Sequence, residues 1–388
     1  MTRTILLLAP LFVDYVRALS APPVFSCDLT LAPEQRWVGA LDLLAAQSSF
    51  EESWQQAFAF HNASLFNGLG ADQWASLADA LTAFYPDQAA ELRGLSGEFL
   101  RVYGQVVTFE YLAAWVYFHE LAHTDLAVGA AAVRPECTGL LVQDEVGLIS
   151  IGGKGRSRYF HGRACEPDVL CVPRDVSQAG EVVHGANMDQ SPEAVRRLTL
   201  KVRFVDRNGV RFQGVDWYWF TTGVTRALAA GLASVQENWR TTSPVPTLGQ
   251  VMTLIEAGEA TPQVFVFRAA LLNATAAGRQ RTNNNFEALV AALSTVPLAA
   301  PFYVVVAGTR PGEGAILTRN ETGIDGPDAD ATQDRAEVAV SASGVAYPRL
   351  PASGAGSLVQ TNYDWWWVHA WSFVERHLFL FFFRCKPA

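Results

Sequence analysis

Apolar residues recur at intervals of three and four through residues 35–123, in RWVGALDLLAAQ, WASLADALTAFY and FEYLAAWVYFHELAH. That spacing lines one side of a helix with apolar side chains, so it predicts a helical front to the chain. After Cys137 the period shortens. CTGLLVQDEVGLISIGG, RRLTLKVRFVDRNGVRFQGV and FYVVVAGTRPGEGAILTRN read as strands, separated by Asn208-Gly209 and other glycine-rich turns. NFEALVAALSTVP returns to helical spacing. A helical front followed by strands with helices packed on them predicts a layered α/β or α+β body. No internal repeat is visible.

Two stretches stand outside this pattern. Residues 152–181 have no clear period and hold Cys165 and Cys171. The tail WWWVHAWSFVERHLFLFFFRCKPA, residues 365–388, is intensely aromatic. It approaches the length of a membrane span, but Glu375, Arg376 and His377 interrupt it, which a spanning helix tolerates poorly. It reads as a buried or membrane-surface segment.

Composition narrows the class. A chain of 388 residues with half its residues hydrophobic can bury a sizeable core. Its formal net charge of −9 argues against a general nucleic-acid binder. The N-terminus has Arg3, an apolar run over residues 5–13 and the small residues Ala18 and Ser20, the pattern of a signal peptide over residues 1–20. Sequons at Asn62, Asn273 and Asn320 agree with a secretory route. Five cysteines, Cys27, Cys137, Cys165, Cys171 and Cys385, leave at least one thiol free beside one or two possible bridges.

Two candidate chemistries compete. His119, Glu120 and His123 have the H-E-x-x-H spacing, which on a helix sets two imidazoles on one face for zinc with the glutamate as base. A third ligand is not evident: Leu126 stands where an extended motif carries glycine, and Glu136 and Glu145 lie outside any helical motif. With Leu112, Trp115 and Val116 beside it, the segment reads as a packed helix, and a zinc peptidase is the minor alternative. The second candidate is Cys137, which follows a helix and opens a strand-like run.

Around Cys137 the sequence resembles a known family in seven segments, in consistent order. They are FSCDLTLAPEQRW, LRGLSGEFLRVYGQVVTFEYLAAWVYFHE with Glu120 at its end, CTGLLVQDEVG, HGANMDQ, RRLTLKVRFVDRNG, PFYVVVAGTRPGEGAILTRN and QTNYD. The chain looks like the acid ceramidase and N-acylethanolamine-hydrolysing acid amidase group, lysosomal N-terminal-nucleophile cysteine hydrolases. The resemblance implies an α+β fold, a four-layer αββα sandwich preceded by a helical pro-segment. It implies an α-subunit over residues 21–136 and a β-subunit over residues 137–388, the latter with an insertion at about 152–181 and the atypical tail.

It also implies autocatalytic cleavage of the Glu136–Cys137 bond, a self-cleaved α/β heterodimer and hydrolysis of a lipid amide at acidic pH, without cofactor or metal. The substrate would be an N-acylethanolamine or a ceramide. A freed α-amine beside the thiol can act as its general base, because its ordinary pKa of about 7.7–8.0 lies within reach of the working range. Asp189, in N-x-D, would orient that amine. Asn362, in TNYD, would donate to the oxyanion. Glu237, in ASVQENW, stands roughly where the family carries a glutamate near the site. The family's H-G-R-N-x-D arginine is Ala186 here, and Arg163 in an earlier HGR is the candidate substitute. In the Gly-Gly pair, Ala307 precedes Gly308, and the aromatic tail replaces the family's further strands. A lipid-binding relative with impaired catalysis, in contact with a membrane surface, is therefore the competing reading from another class.

Overall fold

The computed structural model describes residues 22–46, 50–127, 136–143, 182–189, 193–240, 245–277, 285–320, 337–340, 346–352 and 356–360. Strand β1 (Val24–Asp28) opens the chain and is followed by helices α1 (Ala40–Ala45), α2 (Phe50–Ser64), α3 (Ala71–Phe84), α4 (Pro86–Tyr103), α5 (Phe109–Val116) and α6 (Phe118–Ala122). Then come β2 (Glu136–Gln143), β3 (Val182–Asp189), β4 (Leu200–Asp206), β5 (Gly209–Asp216), β6 (Arg226–Ala229) and β7 (Ala233–Trp239). Helices α7 (Leu248–Glu256), α8 (Gln263–Ala277) and α9 (Asn285–Thr295) precede β8 (Phe302–Ala307), β9 (Gly314–Arg319), β10 (Glu337–Val340), β11 (Ala346–Arg349) and β12 (Gly356–Gln360).

Local chemistry sets the element ends. Thr108 caps α5 by accepting from the Tyr111 amide, and Thr247 with Gln250 forms a capping box on α7. Pro86 opens α4 at its first turn, and Gly104 closes it in the left-handed region at φ 64°. The β4–β5 hairpin turns at Asn208-Gly209, with Gly209 at φ 101°. The turn is held by Asp206, which accepts from the Asn208 amide and from Arg211, each at 2.7 Å.

The described strands form two sheets. The larger has the order β1-β4-β5-β6-β7-β8-β9-β11-β10, the smaller β12-β2-β3. In the larger, β1 alone pairs in parallel, against β4. So a strand from before Cys137 completes one edge of a sheet built from residues after it. Strands β7, β8 and β9 are buried throughout, as strands covered on both faces must be.

The pleat sorts the two faces. Val235, Val304, Val306, Ala315 and Leu317 face the helices and join one large apolar core with Trp37, Trp115 and Phe267. Val305, Ala307 and Ile316 face the other way and pack with Leu141, Val182, Leu350 and Leu358, the core between the two sheets. The described layers are thus helices, large sheet and small sheet. The class is α+β, as expected from the sequence. An outer helical layer on the small sheet is not among the described residues.

The helical front differs from expectation at one point. The sequence period runs unbroken over residues 109–123, but the chain breaks at Tyr117 (φ −95°, ψ 13°) into α5 and the five-residue α6. Residues 112–124 are buried on every side, so packing rather than one apolar stripe sets their path. Among the described residues, no helix is long and apolar enough to cross a membrane. The sequons at Asn62 and Asn273 fall in helices, and the Asn62 side chain accepts from Tyr111 Oη at 2.9 Å. Residues 1–21 and 361–388, with the signal-peptide and tail expectations, lie outside the described residues.

Helices and sheet are locked by one buried ion cluster. Glu91 on α4 is fully buried and receives Arg268 of α8 through both oxygens, at 2.5 and 2.6 Å. Arg36 Nη1 and Trp37 Nε1 each add a bond at 2.9 Å. Burial alone would raise the Glu91 carboxyl, but the charge and hydrogen bonds of Arg268, then Trp37 and Arg36, hold it below the ordinary range. Arg268 also donates to the carbonyl of Thr222, a β-branched residue in the left-handed region at φ 61°. Such a conformation costs of order 1–3 kcal/mol and persists only where its surroundings hold it.

Candidate active site

Cys137 lies second in β2, the central strand of the small sheet. Antiparallel pairing sets Cys137 opposite Met188 and Glu136 opposite Asp189. Directly opposed residues in such a ladder have Cα atoms about 4.5–5.5 Å apart. The fold therefore brings the backbone of the Glu136–Cys137 bond alongside Asp189, two of the positions singled out in the sequence. On the other side of β2, Gln360 pairs with Gly139. Asn362 comes two residues later and lies outside the described residues, as does Arg163. Ala186 pairs with Gly139 in the same ladder, two positions along from the cysteine.

Glu237 belongs to the large sheet. It lies on β7 opposite Val304, so it faces the helices, whereas its neighbour Gln236 pairs with Val305 and faces the small sheet. Its partner is His119 of α6, with Nε2 to Oε1 at 3.6 Å. The alternation of a strand accounts for this: a shift of one residue reverses the face.

The H-E-x-x-H residues build a helix-to-sheet seam. The rings of His119 and His123 are 4.6 Å apart, and His123 stacks on Trp239 at 3.8 Å. Glu120 accepts from the backbone amide of Gln263 at 2.6 Å, satisfying the first turn of α8. Among the described residues, no group of three or more His, Cys, Asp or Glu is arranged to hold a metal ion. Burial pushes Glu237 up to about 8 and Glu120 up to about 7, and pushes His119 down to about 3. His119, Glu120 and Glu237 are thus neutral at mildly acidic pH.

A pH dependence of stability follows. The raised carboxyls contribute stability that is full below about pH 4.5 and is lost as pH rises through 7 to 8. The buried histidines His61, His119 and His184, pushed down to about 4, 3 and 4, contribute above pH 6.5 and lose it on acidification. Between pH 4.5 and 6.5 the three histidines gain stability faster than the two carboxyls lose it, so thermal melts from pH 4 to 9 are expected to peak near pH 6.5 and to fall from 6.5 to 8. In Glu237→Gln that alkaline fall is expected to shrink; an unchanged slope would contradict the assignment.

The space between the sheets holds a polar row that the sequence analysis missed. Ser234, Gln236 and Asn238 alternate along β7 on the face toward the small sheet, all fully buried or nearly so. His184 of β3 bonds Ser234 Oγ through Nδ1 at 2.8 Å and Gln236 Oε1 through Nε2 at 3.2 Å. Gln236 Nε2 donates in turn to Asn238 Oδ1. The period-two polar pattern in ASVQENW was the available signal.

Elsewhere, Cys27 is a free buried thiol on β1, and burial raises it to about 12. The thiolate is the nucleophilic form, so Cys27 is inert at acidic or neutral pH.

The chain is similar to lipid-amide hydrolases of the N-acylethanolamine-hydrolysing acid amidase and acid ceramidase family, the resemblance drawn from its motifs. No family model matches it. The N-acylethanolamine-hydrolyzing acid amidase of Oryctolagus cuniculus is 28% identical over 193 residues, covering 48% of this chain and 44% of that protein. That of Cavia porcellus is 26% identical over 193 residues, with the same coverage. The acid ceramidase of Mus musculus is 25% identical over 203 residues, covering 49% and 44%. The chain thus spans less than half the length of these relatives. The solved Caenorhabditis elegans N-acylethanolamine-hydrolyzing acid amidase ortholog is 20% identical and covers 61% of this chain and 74% of its own, with a TM-score of 0.38, too low to bear on the fold.

Proposed function

We propose that this protein is a lipid amidase, hydrolysing N-acylethanolamines or ceramide to fatty acid and amine at acidic pH. The observation that carries the reading is the register of β2 on β3, which puts the backbone of Cys137 and its preceding peptide bond beside Asp189. Sequence similarity to enzymes named for that reaction supports it. In this reading the chain cleaves the Glu136–Cys137 bond, and the new α-amine of Cys137 serves as base for its own thiol. The thiolate attacks the amide carbonyl to give a thioester, and the amine returns the proton to the departing amine. Water then releases the fatty acid. Asp189 holds the α-amine, and Asn362 donates to the oxyanion, a contribution of about 10²–10³ in rate for one such donor. Ala186 removes the family's arginine, with Arg163 its proposed substitute. The helical residues 21–136 and residues 137–388 remain a heterodimer in an acidic secretory or lysosomal compartment.

The test is electrophoresis and lipid turnover on the full chain expressed through the secretory route. Acid incubation is expected to give two fragments, the larger beginning at Cys137 by terminal sequencing, with fatty-acid release from an N-acylethanolamine or ceramide. Full-length chain that stays inactive toward both lipids would favour the non-catalytic lipid-binding reading.

A further inference from the structure

The core between the two sheets is apolar at Leu141, Val182, Val305, Ala307, Ile316, Leu350 and Leu358. Apolar contact is non-directional and sets no unique offset of one sheet over the other. His184 does. It is 1% exposed, belongs to the small sheet, and makes two bonds to β7 of the large one. Its partners fix its tautomer. Gln236 Oε1 can only accept, so His184 Nε2 carries the proton; Nδ1 then accepts from the Ser234 hydroxyl. Burial keeps the ring neutral, which this arrangement requires. The amide of Gln236 is oriented in turn by donating to Asn238. The result is a one-way chain, Ser234 to His184 to Gln236 to Asn238.

His184 pairs with Leu141, four residues from Cys137 along β2, and stands five residues before Asp189 on β3. Strand β3, which carries His184 and its cross-sheet bonds, therefore also carries Asp189 and is paired along its length with β2, which carries Cys137. We infer that His184 is a positioning residue: its bonds to Ser234 and Gln236 fix the small sheet against the large one and so fix where Cys137 and Asp189 sit. This rests on the lipid-amidase reading above. It adds to that reading a residue outside the site, acting through the offset of two sheets.

The test compares wild type with Cys137→Ala, His184→Leu, His184→Gln and Ser234→Ala, all well below their melting temperatures. Leucine fills the space without polar atoms, whereas glutamine can restore one bond. His184→Leu is expected to slow cleavage before Cys137 and to lower kcat by about 10–100-fold with KM within about twofold, as misplacement of a reacting group does. His184→Gln should recover part of both rates and Ser234→Ala should fall between. Hydrogen exchange should quicken in β2 and β3 and not in β4 and β5. If wild type is cleaved and active and folded His184→Leu matches it in kcat, the inference fails while the amidase reading stands. If His184→Leu does not fold, Ser234→Ala decides: wild-type kcat and wild-type exchange overturn the inference. If wild type behaves as Cys137→Ala, uncleaved and inactive, the amidase reading fails and takes the inference with it.

Discussion

Cys137→Ala is expected to give one full-length band after acid incubation and to lower fatty-acid release by about 10⁴-fold or more, the order seen when a covalent nucleophile is removed. The chain is expected to keep the wild-type circular dichroism spectrum, because the strand pairing around residue 137 is made by backbone groups. Cys137→Ser should separate the two steps. A hydroxyl can attack the preceding peptide bond, but it is a poorer nucleophile toward an amide at acidic pH. Cys27 cannot stand in for the missing sulfur, since its thiol is buried and raised to about 12. Wild-type turnover by Cys137→Ala would move the nucleophile to another residue and end the reading.

The second large effect lies far from the chemistry. Glu91→Ala is expected to destabilise the protein by about 3–5 kcal/mol, the cost of breaking a buried ion pair from one side. Its loss leaves the Arg268 guanidinium, 2% exposed, without its carboxylate. It also removes the acceptor of Trp37 Nε1 and the carbonyl clamp on Thr222 loses its anchor. Glu91→Gln should cost less, because an amide oxygen still accepts one bond. Denaturant melts at pH 6 would measure both, and a Glu91→Ala midpoint equal to wild type would show that the pair contributes nothing net.

Much of the fold was legible in the chain. The spacing over residues 36–47, 74–85 and 109–123 announced helices, and the Asn208-Gly209 turn announced the β4–β5 hairpin. Both signals are local, one a repeating side-chain period and the other a backbone demand for positive φ. The register that sets Cys137 against Met188 was not legible, because it depends on pairing across the 50 positions between them. Glu237 shows the same limit from the other side. Its type and rough position suggested chemistry near the nucleophile, but the parity of a buried strand turned it toward His119. The Ser234, Gln236 and Asn238 row was visible as alternation. Its meaning came only with His184 placed opposite it. The H-E-x-x-H spacing illustrates a motif whose residues are used for packing: one imidazole stacks on Trp239 and the glutamate caps a neighbouring helix.

The parallel edge strand β1 has a further consequence. With Glu91 and Trp37 it belongs to the piece before Cys137, while β4, Arg268 and Phe204 belong to the piece after it. A cut between residues 136 and 137 would leave both halves interlocked, so dilution would not part them. Once melted, however, they would have to meet again by diffusion, and recovery would become second order in protein. The uncut form refolds as one molecule; the cut form would be made once and, at low concentration, lost for good on unfolding.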